Sequence, residues 1–137
     1  MILVDTGPLV ALFDPADGSH RRCVKVLEAI AEPIATTIPV LTEAFHLLAP
    51  ASHGAHRLMD FIVDGGLAVW PMEQADLGRA FELMVEYSDR PMDLADASIV
   101  VAAERHGIGK VFTVDRGDFA AYRIRRGHRL LAFEVLG

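Results

Sequence analysis

The chain has 137 residues, with 19 acidic and 13 basic side chains and a net charge of −6, and 52% of its residues are hydrophobic. That length suits one domain spanning residues 1–137 with a real core, and the absence of any apolar run near the ~18 residues of a membrane span excludes a transmembrane protein. A single cysteine, Cys23, excludes an internal disulfide and fits a reducing, cytoplasmic setting, and the N-terminus lacks the basic region of a signal peptide.

Ile2, Leu3 and Val4 form an apolar run without polar alternation, as in a strand covered on both faces. The run stops at Asp5, and after Thr6, Gly7 and Pro8 a short apolar helix resumes. An acid thus sits where a buried strand gives way to a helix. In open α/β sheets that carboxyl-end crevice binds ligands, yet Asp5 also suits a plain helix cap, and this stretch alone leaves both readings open.

Residues 14–19 read as a loop, and Ser19 caps a helix running to about residue 31, with Val24, Leu27 and Ile30 on one face. Ile34, Ala35 and Thr36 read as a second strand. Pro39 fits the first turn of the next helix, whose apolar face carries Leu41, Phe45 and Leu48, with Glu43 between them. A helix over 52–64 is expected to run His56, Met59 and Val63 along one side, and LAVW at 67–70 is a third strand. Leu77, Phe81, Leu83 and Met84 space a helix over 73–87. The segment MDLADASIVVAA opens a helix that ends at Gly107 and Gly109. VFTV at 111–114 is a fourth strand ending at Asp115. A turn of helix over 119–122 and a last strand over 130–135 complete the chain. Alternating strands and helices give a parallel, three-layer α/β domain.

Asp5 and Asp115 each end an apolar strand, so both open onto the same edge of a parallel sheet. Asp93 and Asp96 begin one helix and share a face; Asp93 fits an N-cap. Asp96 is harder to explain as a surface group. Leu94, Ala95, Ala97, Ile99, Val100 and Val101 surround it, and an ionised acid among such neighbours costs several kcal/mol unless paired. The next downstream cation is Arg105, which makes a metal ion a plausible partner. The six histidines show no convincing ligand pairing, and the methionines and Trp70 read as core. Residues 105–137 hold 7 basic against 3 acidic side chains, either a phosphate-contacting rim or an ordinary solvated surface. The high apolar fraction points to a subunit or partner interface.

MILVDTGPLVALFD, LTEAF, MDLADASIV and FTVDRGDF, in this order and spacing, resemble the signature blocks of the PIN-domain ribonucleases, and of VapC-type toxins of toxin–antitoxin pairs in particular. The resemblance spans essentially the whole chain. It implies a twisted parallel sheet flanked by helices and a metal-dependent endoribonuclease whose acids fall on Asp5, Glu43, Asp96 and Asp115. Thr6 and Thr113 match its small hydroxyl positions and Asp93 an accessory acid, while Asp118 is expected at the surface. Four converging carboxylates repel one another; at an effective dielectric of ~20, two of them ~4 Å apart cost about 4 kcal/mol. Oxygen-only ligands suit Mg²⁺ or Mn²⁺ rather than zinc. Asp5, Asp96 and Asp115 would hold the metal, and Glu43 would orient or deprotonate the attacking water or hold a second ion. The resemblance further implies an RNA substrate, an antitoxin partner and a homodimer, with no membrane. A phospho-receiver domain would need paired acids after the first strand and a lone Asp after the third, which VDTGPL and LAVWPM lack; a phosphatase with two acids flanking one residue is excluded by Gly7. The remaining rivals are a PIN-like module that binds RNA or protein without cutting and a processing nuclease that is not a toxin.

Overall fold

The computed structural model describes residues 1–137. β1 (Ile2–Val4) is wholly buried and runs into α1 (Thr6–Phe13) and α2 (His20–Ala29). β2 (Ile34–Thr37), also buried throughout, leads to α3 (Ile38–Leu48), whose first turn holds Pro39 and whose N-cap Thr37 accepts from the Val40 amide. α4 (His53–Val63) and β3 (Ala68–Trp70) follow. α5 (Gln74–Glu86) then pairs with α6 (Leu94–His106), which Gly107 ends in the left-handed conformation, the expected glycine C-cap. β4 (Lys110–Phe112) and the short α7 (Arg116–Ala121) precede three strands, β5 (Arg123–Arg126), β6 (Arg129–Ala132) and β7 (Glu134–Leu136).

The main sheet has five strands in the order β3-β2-β1-β4-β7, all parallel. Helices flank it, giving the three-layer α/β fold. Leu3 aligns with Ala35 on one side and Val111 on the other, so β1 is central, with β2 and β3 added on one side and β4 and β7 on the other. Order reverses at β1, and the crevice at the carboxyl ends of β1 and β4 is the topological switch point of the sheet. Thr36 Oγ1 donates to the Val4 carbonyl at 2.7 Å, tying β2 to the end of β1.

α6 is the central helix. Residues 95 and 97–103 are all buried, and small side chains at Ala95, Ala97, Ser98, Ala102 and Ala103 let α3, α5, β2 and β5 approach it. Ser98 donates to the Ala95 carbonyl at 2.7 Å, so its oxygen is free to accept from Thr37 Oγ1 at 2.6 Å, which pins α6 to the end of β2. Arg79 on α5 grips Glu104 through two bonds of 2.8 and 3.0 Å, and Glu104 also accepts the Arg125 amide at 2.8 Å. One carboxylate thus joins α5, α6 and β5.

Three sequence expectations need correction. The last strand is not continuous: LLAFEV divides at buried Phe133, its first half pairing with β5 as an antiparallel hairpin and its second half joining β4. On α4 the buried side is Ala55 and Leu58; Met59 and Val63 are 44% and 84% exposed, and His56 is exposed with them. On α5 Phe81 faces solvent, while Ala80 and Leu83 are buried. No helix is long and apolar enough to cross a membrane.

Candidate functional site

The site is built at the β1–β4 crevice. Asp5 follows β1 and takes the N-cap position of α1, but its side chain makes no cap bond. The third helical residue is Pro8, which has no N–H to offer. The carboxyl is instead buried and accepts from Thr113 Oγ1 at 2.9 Å. That hydroxyl itself accepts the Asp115 amide at 2.9 Å, which commits its proton to Asp5. Thr113 therefore joins the end of β1 to the residue that follows β4. Asp5 thus occupies the cap position without capping, and its carboxyl is turned to Thr113 instead.

Seven carboxylates line one open cavity of about 540 Å³: Asp5, Asp17, Glu43, Asp93, Asp96, Asp115 and Asp118. Thr6, Gly7 and Ser19 add to its wall, with Val10, Leu47, Pro91 and Val114 as apolar margins, and no Lys, Arg or His lines it. Glu43 comes from α3 and Asp96 from the first turn of α6. Asp93 is the expected N-cap of α6, accepting the Asp96 amide at 2.8 Å, and also faces the cavity. Gly7 admits this assembly: a Cβ there would lie 2.3 Å from Val114 Cγ2, so only glycine lets α1 start this close to the end of β4.

The electrostatics record the crowding. Burial pushes the Asp5 carboxyl up to about 6; the Thr6 amide and Thr113 hydroxyl pull it down, while the charges of Glu43 and Asp93 add to the rise. Asp96 is pushed further, to about 8, by burial first and then by Asp93 and Asp5. Its only side-chain neighbour in hydrogen-bond range is the Tyr122 hydroxyl, at 3.4 Å, whose own pKa burial and the Asp96 charge drive upward. Asp115, though exposed, is raised by partial desolvation and by Asp118. Asp118 is lowered by its contact with Asp115, with Arg90 at 3.0 Å reinforcing the effect.

Asp5, Glu43, Asp96, Asp115, Thr6 and Asp93 thus share one cavity wall, and Thr113 stands directly behind it. Asp118 is not the surface residue expected; its side chain is 26% exposed and faces the cavity. Sequence reasoning missed Asp17, Ser19 and Tyr122. The loop after α1 gave no sign that it folds back over the strand end, and a tyrosine nearly thirty residues beyond Asp96 carries no local signal.

The donor set fits a hard divalent cation. It is all oxygen and strongly anionic, three of its acids, Asp5, Asp96 and Asp115, are held above their ordinary pKa, and Thr6 Oγ1 is buried without a partner. No three of these acids stand close enough to form a ready-made ligand cluster.

The sequence profile of the PIN domain matches residues 2–125. The chain is 26% identical over 131 residues to Ribonuclease VapC26 of Mycobacterium tuberculosis, covering 93% of this chain and 96% of that protein. Among solved structures it is similar to M. tuberculosis VapC20, a sarcin–ricin loop cleaving toxin (TM-score 0.74, 21% identity, 81% of this chain and 87% of the other). A toxin–antitoxin complex from Klebsiella pneumoniae is also similar (TM-score 0.67, 24% identity, 88% and 92%). VapBC2 from Rickettsia felis, solved with a promoter DNA fragment, matches with TM-score 0.64 and 18% identity over 98% of each chain. With the strand order, the acid-lined switch point and a profile match over nearly its whole length, this chain belongs to the PIN-domain family.

Proposed function

We infer that the protein is a divalent-metal-dependent endoribonuclease and the toxin of a VapBC-like pair. The observation that carries this is the cavity at the β1–β4 crevice, where acids from five separate segments meet with no lining cation. Kinship to Ribonuclease VapC26 supports the reaction type.

Asp5, Asp96 and Asp115 are the residues that would hold Mg²⁺ or Mn²⁺. When bound, the ion supplies the positive charge that lets these acids ionise together and makes water a better nucleophile. Glu43 orients the attacking water or takes its proton as the water oxygen bonds to phosphorus and the bond to the departing ribose oxygen breaks. Thr113 fixes the Asp5 carboxyl, Asp93 holds the first turn of α6, and Thr6 lines the cavity with its hydroxyl buried in the wall.

The comparison structures that contain antitoxins support a small protein partner for this chain, and a homodimer is part of the same reading. Ile38 and Leu47, 51% and 59% exposed, flank the acidic cavity and offer such partners an apolar foothold. We place the protein, acting as a single domain, in the cytoplasm.

The test is incubation of the purified protein with RNA and Mn²⁺ or Mg²⁺, with and without EDTA, a sarcin–ricin loop RNA being the first substrate because a structural relative is described as cutting it. Cleavage is expected only with the metal, and is expected to vanish in Asp5→Asn and Asp96→Asn. Metal-dependent cleavage that persists in both variants would overturn the site; no cleavage of any RNA together with no metal binding would favour a binding module.

A further inference from the structure

The β5–β6 hairpin ends in an arrangement that its fold does not need. Arg126 and Arg129 are direct cross-strand partners in the last pair before the Gly127-His128 turn. Like charges set directly opposite each other destabilise a hairpin. Both residues are exposed, and neither joins an ion pair, although the chain carries 19 acids. Local rules of this kind are broken chiefly at functional or strained sites, and this exposed hairpin end is not strained by packing.

The hairpin is also connected to the site. It begins just after Tyr122, whose hydroxyl reaches Asp96, and lies along α6 with Ile124 buried beneath it. Arg126 Nη1 reaches the far end of that helix, 3.8 Å from where a Cβ on Gly107 would stand. At ~1.5 Å per residue, Asp96 and Gly107 are roughly 16 Å apart along α6, the span of about five stacked nucleotides at ~3.4 Å each. Exposed Arg125 lies on the way. The molecule thus has an acidic cavity without a lining cation at one end of α6 and unpaired arginines at the other.

We propose that the β5–β6 hairpin is a second RNA-contacting site, in which Arg126 and Arg129 grip backbone phosphates about five nucleotides from the bond at the acidic cavity. This rests on the nuclease reading. The cavity repels a polyanion, and the arginines supply attraction where it does not disturb the acids. The contact is to phosphate and therefore indifferent to base sequence.

The experiment measures binding of fluorescently labelled RNAs of 4 to 12 nucleotides by anisotropy in EDTA, where no cleavage interferes. R126Q/R129Q is expected to bind the 12-mer on the order of tenfold more weakly than the wild type and to show a salt slope shallower by about one to two. Its Tm is expected to equal or exceed that of the wild type, because a repulsive pair has been removed. Unchanged affinity and salt slope would overturn the proposal, as would a lowered Tm with unchanged binding, which would make the arginines structural. Failure of the wild type to bind the 12-mer would overturn it too, and cleavage of the same RNA in Mn²⁺ would then show whether the nuclease reading survives independently.

Discussion

Thr113 shows how much one hydroxyl does at this site. It is fully buried, accepts the Asp115 amide and donates to Asp5 Oδ2, so two of the four principal acids depend on it for position. Thr113→Val keeps the shape and removes both bonds. It is expected to lower stability by about 1–3 kcal/mol, because a buried carboxyl and an amide lose their partner. A transition state destabilised by ~1.4 kcal/mol slows cleavage about tenfold. The hydroxyl also pulls the Asp5 pKa down, so an NMR titration of the variant is expected to place that pKa above the wild type's value of about 6. Thr113→Ser is expected to restore most of each property. A variant whose Asp5 titration does not move would mean that the hydroxyl does not set the acid's charge.

The elements that build the site differ in how plainly the sequence announces them. β1 and β4 are short apolar runs that stop at an acid, and α6 has its cap, its apolar body and its terminal glycine in order, so all three are readable directly. Their adjacency is not, because strand order depends on which helices cross which face. The α4 error has a physical cause: Leu58, Met59, Phe61, Ile62 and Val63 define overlapping apolar faces, and the close approach of α4 to α1 decides between them. Gly54 marks that approach, since a Cβ there would meet the Phe13 carbonyl at 2.4 Å. β6 and β7 merged into one expected strand because both halves are largely apolar and only the change of partner at Phe133 divides them, and the arginine-rich β5 gave no strand signal. At the α1–β4 contact, Gly7→Ala is expected to cost about 1–3 kcal/mol by overpacking Val114. Val114→Ala in the same chain is expected to recover most of that loss, measured as a double-mutant cycle in urea. Additive effects would show that the two residues do not meet.

At the scale of the whole molecule, the acidic cavity sets the pH dependence of stability. Asp5 and Asp96 have folded-state pKa values of about 6 and about 8 against 3.8 for a free Asp, so between about pH 4 and 8 the folded state holds protons that the unfolded state releases. Stability of the metal-free protein is therefore greatest at the acid end of this window and falls as pH rises through it. For Asp5 alone the shift corresponds to about 3 kcal/mol. The expected result is a Tm higher at pH 5 than at pH 8 in EDTA, a gap that Mn²⁺ narrows by stabilising the protein mainly at pH 8. Asp96→Asn is expected to raise the Tm at pH 8 in EDTA while abolishing cleavage. A flat Tm profile across this range would contradict the crowding of these acids.

The bond from Thr113 to Asp5 also has a consequence in time. Its partners are separated by 108 residues, so β1 leaves the ribosome long before β4 exists to hold its acid. At ~5–20 residues per second that interval is roughly 5–20 s. A nascent chain shorter than this carries Asp5 and Glu43 but has no crevice for them to share. The crevice is completed only with the pairing of β1 and β4. On the proposed ribonuclease function, the message and the ribosome making the chain are expected to escape cleavage until that pairing, and a partner present by that moment can meet the cavity as it forms.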